Sequence, residues 1–180
     1  GMHNNNNLLS KIWGHDAGNY GRGAGLHNIS GGYGLSYLNG NQPAQFGTIT
    51  AGKGFMAKNS YYPEGVESSL NGATDVKQTN ISNGSGKSVM TIGNITSLVG
   101  SPNYNEFWNG QIAEVLVFNS LLSMAQETIL ENYLSARYNL PLAAAKNIYL
   151  MDDSLQGNYD NDVTGIGMAT DTSAVLESGG

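Results

Sequence analysis

The chain has no cysteine among its 180 residues. Disulfides, thiolate metal centres and cysteine nucleophiles are thereby excluded, while the compartment stays open, because many exported β-domains have no cysteine. Charge is scarce as well: 12% of residues are charged, and eight Lys and Arg against fourteen Asp and Glu leave a net charge of -6. Without a basic stripe to neutralise phosphates, nucleic acid and anionic membrane surfaces are poor partners. No apolar run approaches the length of a membrane span. The start lacks the basic, apolar, small-residue order of a signal peptide, and Gly1-Met2 reads as a tag-cleavage scar ahead of a start Met. Either an export signal has been removed or the chain is a fragment, and the fragment is the favoured expectation.

What is present is glycine, 25 residues of it, together with asparagine-rich punctuation between short β patterns. Strands are predicted at Leu9 to Trp13, Gly25 to Ile29, Tyr33 to Leu38, Phe46 to Thr50, Gly54 to Ala57, Val89 to Ile92 and Ile112 to Phe118. Asn39-Gly40 and Asn71-Gly72 suit turns whose two central residues both need positive φ. The most telling stretch runs from Phe107 to Leu140. Along Gln111 to Phe118, a period of two puts Ile112, Leu116 and Phe118 on one face and Ala113, Val115 and Val117 on the other, which predicts an interior strand buried on both sides. Ser123 followed by Gln126 is a capping-box pair. Ala125, Ile129, Leu130, Tyr133 and Leu134 then recur at helical steps until Asn139 and Pro141 end the helix, and its Ile129/Tyr133 side is expected to dock.

This ending resembles that of the bacterial laminin G-like, concanavalin A-like jelly-roll domains. The resemblance is carried by Phe107 or Trp108, Gly110, Ile112, Ala113, Glu114, Val115, Phe118, Asn119, Leu122, Ser123, Tyr133, Leu134 and Tyr138, with Asn139 where the family usually has Gly. Ser88 to Gly93 matches the strand that normally precedes it. The resemblance implies an all-β fold, an antiparallel β-sandwich with one short C-terminal helix after the last strand. Residues 1–140 would form that domain without its opening strands, and residues 141–180 a linker at Ala143 to Ala145 and the start of a following module. Asn161, Asp162, Val163, Gly165, Ile166 and Gly167 resemble the junction that often follows such domains in long bacterial surface proteins, with Met168 in the place of Arg. A sheet edge left bare by the missing strands would be covered by the tail from Asn147 or by edge-to-edge association.

Several motifs fail on spacing. In Asn83 to Ser88 the first glycine of a phosphate loop would fall on Ile81, and a β pattern rather than a helix follows, so a polar loop is expected. Gly21 to Gly25 lacks the dinucleotide spacing because Leu26 replaces the last glycine, and reads as a flexible turn. Asn158, Asp160 and Asp162 alternate like the opening of a calcium loop, yet Val163 replaces the required Gly and Ala169 the closing Glu. No cofactor is expected, with calcium the one alternative.

Within this fold, endo-glucanases place acid and nucleophile on one strand as E-x-D-x-x-E, and no Glu here has an Asp two residues on. Glu127 and Glu131, one helical turn apart, read as a solvated face, and Glu114 as a carboxylate needing a structural partner. His3, His15 and His27 lack a nucleophile motif. A non-catalytic module is therefore expected, binding a polysaccharide or cell-surface glycan outside the cell, with a spacer as the second reading and a concanavalin A-like glycoside hydrolase as the third. Sugar recognition needs an aromatic face beside amides and charged groups, and the candidate ligand-binding residues are Trp13, His15, Asp16, Tyr20, Arg22, Tyr62 and Tyr104. Trp13 and Trp108 flank apolar strands and also suit a core, and Tyr61-Tyr62-Pro63 also suits a corner.

Overall fold

The computed structural model describes residues 2–3, 9–15, 22–27, 33–38, 44–63, 65–73, 76–79, 90–94, 96–98, 101–102, 107–149, 155, 163–167 and 174–178. The chain divides into two compact units: Gly1–Lys53, Ala57–Leu70 and Thr74–Val115 form one, and Gly54–Met56, Asn71–Ala73 and Leu116–Gly180 the other. Every named strand pairing is antiparallel, and the described residues hold one helix.

In the first unit, β1 (Met2–His3), β2 (Leu9–His15), β3 (Arg22–His27), β4 (Tyr33–Leu38) and β5 (Ala44–Thr48) are followed by β6 (Ala57–Tyr62), β7 (Gly65–Leu70) and β8 (Val76–Gln78). Short strands β9 (Met90–Ile92), β10 (Thr96–Leu98), β11 (Ser101–Pro102) and β12 (Gly110–Gln111) complete it. A five-stranded sheet has the order β5-β4-β3-β2-β9, and a three-stranded sheet the order β6-β7-β8. β6 and β7 run in register from Ala57↔Leu70 to Tyr62↔Gly65, so the chain reverses at Pro63, whose ring presets a turn. Central β7 is buried along its whole length. Among the described residues of this unit, Ala24, Leu26, Phe46, Ile49, Val66, Leu70 and Trp108 are buried and apolar.

Three expectations change here. The Gly21 to Gly25 stretch is not a flexible turn, because Arg22 onward is strand β3. A Cβ on Gly23 would lie 2.8 Å from the Trp13 carbonyl oxygen, and one on Gly25 2.3 Å from that of Ser10, so these glycines permit close backbone approach. Strand structure does not begin at Gly54 but at Ala57. The third change is the largest. Beyond Gln111 the predicted interior strand has no ladder among the described residues, and Val117 and Phe118 are 67% and 50% exposed. Apolar alternation reports how side chains would suit a sheet; burial also needs a neighbouring strand to bond the backbone.

The second unit is built on α1 (Met124–Tyr138), with β13 (Val163–Gly167) and β14 (Ala174–Ser178) paired as a hairpin beside it. These two strands follow the helix in sequence, within residues 141–180, while β1 to β12 precede it. The capping box is formed: Gln126 N–H donates to Ser123 Oγ at 3.3 Å, and Ser123 N–H to Gln126 Oε1 at 2.9 Å. Asn139 ends the helix in the left-handed region at φ 48, as its position in the sequence predicts.

The buried side of α1 differs from expectation. It consists of Ala125, Glu131, Asn132, Ser135 and Ala136, while Ile129 and Tyr133 are half-buried. Glu131 is therefore not on a solvated face. It is 5% exposed, with Lys146 Nζ 3.5 Å from its Oε2. Asn132, 1% exposed, works as a clamp: its Nδ2 donates to the carbonyls of Thr128 and Lys146, each at 2.8 Å, and its Oδ1 accepts from the N–H groups of Ile148 at 3.0 Å and Tyr149 at 2.9 Å. Ala143 to Lys146 make a hydrogen-bonded turn, tied by Ala143 N–H to the Asn71 carbonyl at 2.8 Å. The Asn71-Gly72 turn has φ 53 and 68, both positive as predicted, whereas Asn39-Gly40 lies outside the described residues.

Two substitutions rank these devices. Asn132→Ala leaves the part-buried backbone groups of Lys146 and Ile148 and the buried N–H of Tyr149 without their partner, and should cost about 2 kcal/mol or more. Ser123→Ala removes a more exposed N-cap and should cost about 1 kcal/mol. Urea midpoints at constant m-value measure both, and Asn132→Ala is expected to show the larger drop.

Candidate functional site

Trp13, Asn59 and Tyr61 come together where β2 and β3 meet β6. Period-2 alternation in β6 puts Asn59 and Tyr61 on one face and Tyr62 on the other. The Tyr61 ring meets Trp13 edge-on, with centroids 5.6 Å apart and planes at 83°, a favoured aromatic arrangement. Trp13 Nε1 donates to Asn59 Oδ1 at 3.3 Å, and Asn59 Nδ2 donates onward to Ser68 Oγ at 2.8 Å. The Tyr61 hydroxyl donates to the Gly23 carbonyl at 2.9 Å and accepts from Gly23 N–H at 3.2 Å.

Arg22 places its guanidinium carbon 5.7 Å from the Tyr61 ring centroid, within cation–π reach. The ladder sets His15 opposite Arg22 and Trp13 opposite Ala24. Trp13, His15 and Arg22 are each half-buried. Burial pushes the Tyr61 phenol well above its ordinary pKa, with the Gly23 backbone bond and the Arg22 charge pulling the other way. The hydroxyl is thus a neutral donor throughout the physiological range.

Three of the seven sequence candidates are thereby brought together: Trp13, His15 and Arg22. Tyr62 is separate, on the opposite face of β6, where its hydroxyl donates to Glu67 Oε2 at 2.6 Å and Lys77 Nζ lies 3.1 Å from Glu67 Oε1. Asp16, Tyr20 and Tyr104 lie outside the described residues, as do Asn158, Asp160 and Asp162 of the calcium alternative. Among the described residues no group of three or more His, Cys, Asp or Glu is placed to hold a metal ion. Trp108 is 8% exposed, in keeping with a core role.

The sequence reading passed over Asn59 and took Tyr61, with Tyr62 and Pro63, as suiting a corner rather than a strand. The alternation K-N-S-Y-Y before Pro63 and V-E-S-S-L after Gly65 is a hairpin pattern, and reading it as one would have put Asn59 and Tyr61 on a shared face. No family model, curated protein or solved structure matches the chain.

The two tyrosines of β6 give a contrast. Tyr61→Phe leaves both backbone groups of Gly23 without the hydroxyl and should cost about 1–3 kcal/mol. Tyr62→Phe leaves Glu67 paired with Lys77 and should cost less, about 0.5–1.5 kcal/mol. Chemical denaturation of the two variants side by side measures the difference, and equal losses would remove the special position of Tyr61.

Proposed function

We propose that this chain is a non-catalytic glycan- or surface-binding module of a large exported bacterial protein, built on a β-sandwich of the laminin G-like, concanavalin A-like type. The observation that carries the binding reading is the placement of Trp13 and Arg22 against Tyr61, with His15 opposite Arg22 in the ladder. It offers a half-buried indole held by Asn59 and a neighbouring guanidinium on a fixed backbone. An aromatic face stacks on the apolar side of a sugar ring while charged and amide groups bond its hydroxyls. Asp16, Tyr20, Tyr62 and Tyr104 complete the proposed set of contacts, and calcium is the one ion the proposal allows.

The sandwich reading draws support from the Trp13–Tyr61 and Gly23–Tyr61 contacts, which join side chains of one antiparallel sheet to the backbone and rings of the other. A second reading, a spacer without a ligand, is favoured by one feature: the Trp13 N–H and the Tyr61 hydroxyl already have partners within the chain. Lack of the glucanase acid pattern supports the non-catalytic assignment.

A glycan-array screen with and without calcium separates the readings. The expected outcome is binding to at least one polysaccharide, weakened roughly tenfold by Arg22→Gln, a loss equivalent to one charge-assisted hydrogen bond. Correctly folded protein that binds nothing on the array supports the spacer. Release of reducing sugar at an enzymatic rate would overturn the non-catalytic assignment.

A further inference from the structure

Among the described residues, the sequence Asn-Gly occurs twice, at Asn71-Gly72 and at Asn109-Gly110, in contrasting surroundings. Asn71 is locked. Its Oδ1 accepts from Met56 N–H at 2.8 Å, and its own N–H donates to the Met56 carbonyl at 2.8 Å. It sits at φ 53, followed by buried Gly72, where a Cβ would lie 2.5 Å from the Leu142 side chain. Asn109 and Gly110 are both exposed. Asn109 belongs to no strand, and among the described residues Gly110 pairs with His3 in a two-residue ladder. So short a ladder opens at little free-energy cost.

We propose that Asn109 is a site of spontaneous modification, converting to aspartate and isoaspartate through attack by the Gly110 nitrogen. Glycine lacks the Cβ that would obstruct this approach. The Gly110 amide nitrogen, losing its proton, bonds to the Asn109 side-chain carbonyl carbon, and the side-chain nitrogen leaves as ammonia. The resulting five-membered imide then takes up one water. Opening at one carbonyl gives aspartate, and opening at the other gives isoaspartate, in which the main chain runs through the former side chain. Both products add one negative charge to a chain that already carries -6. Isoaspartate also lengthens the backbone by one carbon between Trp108, whose N–H donates to the Gly93 carbonyl at 2.7 Å, and the β12 pairing.

At Asn71 the same reaction is suppressed: two hydrogen bonds to Met56 must break before the amide carbon can turn toward the Gly72 nitrogen. The prolonged left-handed turn is fixed by the same bonds.

The test incubates the intact chain at mildly alkaline pH, natively and in urea, and follows each Asn-Gly peptide by mass after proteolysis. In the native chain Asn109 is expected to convert roughly tenfold or more faster than Asn71, the factor set by the two bonds that hold Asn71. In urea the two should convert at similar rates, and Asn109→Gln should remove the native conversion from that peptide. Equal native rates at Asn71 and Asn109 overturn the proposal. So does an Asn109 that stays intact in the native chain for a period in which it converts in urea. Asn39-Gly40 and Asn83-Gly84 give separate peptides and do not enter the comparison.

Discussion

Main-chain polar groups that are taken out of water must find partners, and this chain repeatedly supplies them from neutral side chains. Asn132 bonds the backbone of Thr128, Lys146, Ile148 and Tyr149, Asn71 bonds Met56, and the Tyr61 hydroxyl closes both backbone groups of Gly23. With 12% of residues charged, ion pairs offer little alternative. The asparagine enrichment is thus only partly a matter of turns. At Asn59 and Asn132 the amide lies within a regular element and ties that element to others, and its two donors and one acceptor suit it to bridge groups that a hydroxyl or an aliphatic side chain could not.

The helix shows how this changes the energetics. Its buried side is largely polar, so apolar burial contributes less to its docking than in an ordinary amphipathic helix. A helix of this length is marginal alone in water, and what holds it is the capping box at one end, left-handed Asn139 at the other and the Asn132 clamp between. The clamp is also unforgiving. An apolar side chain loses its contribution gradually when repacked, whereas an amide that bridges enclosed backbone groups leaves several of them without partners at once when removed.

What could be read from the sequence follows the range of the interactions involved. The caps at Ser123 and Asn139 and the positive φ values at Asn71-Gly72 depend on residues within a few positions of one another, and each was legible. Strand Tyr33–Leu38 was legible for the same reason, since glycine and asparagine bound it locally. Gln111 to Phe118 failed because burial needs a partner strand from elsewhere in the chain, and its alternation carries no information about that partner. Glu131 was misread because helical spacing to Glu127 describes a face without saying what covers it; Lys146 reaches it through a turn of the chain that follows. Of the candidate site, the presence of Trp13, His15 and Arg22 was legible from residue type alone. The part played by Asn59 and Tyr61 was not, because it arises from a strand facing whose hairpin was overlooked.

That overlooked hairpin bears on how a ligand could gain from the cluster. A free tryptophan loses rotamer freedom when a ligand stacks on it, and this loss is charged against affinity. Trp13 has already lost it: Tyr61 meets the ring edge-on, Asn59 holds the indole nitrogen, and Ser68 holds Asn59. Arg22, the longest side chain of the group, rests over the Tyr61 ring, so its ordering is also partly settled before any ligand arrives. The same bonds carry a cost for recognition, since an indole N–H given to Asn59 is no longer free for a sugar hydroxyl. Affinity at such a site would come from ring stacking and from Arg22 and His15, with the Asn59 and Tyr61 bonds acting only to hold the geometry. Stacking distinguishes ring faces by shape, while directed hydrogen bonds distinguish individual hydroxyl positions. A site weighted toward stacking therefore tolerates several related sugars more readily than it selects one.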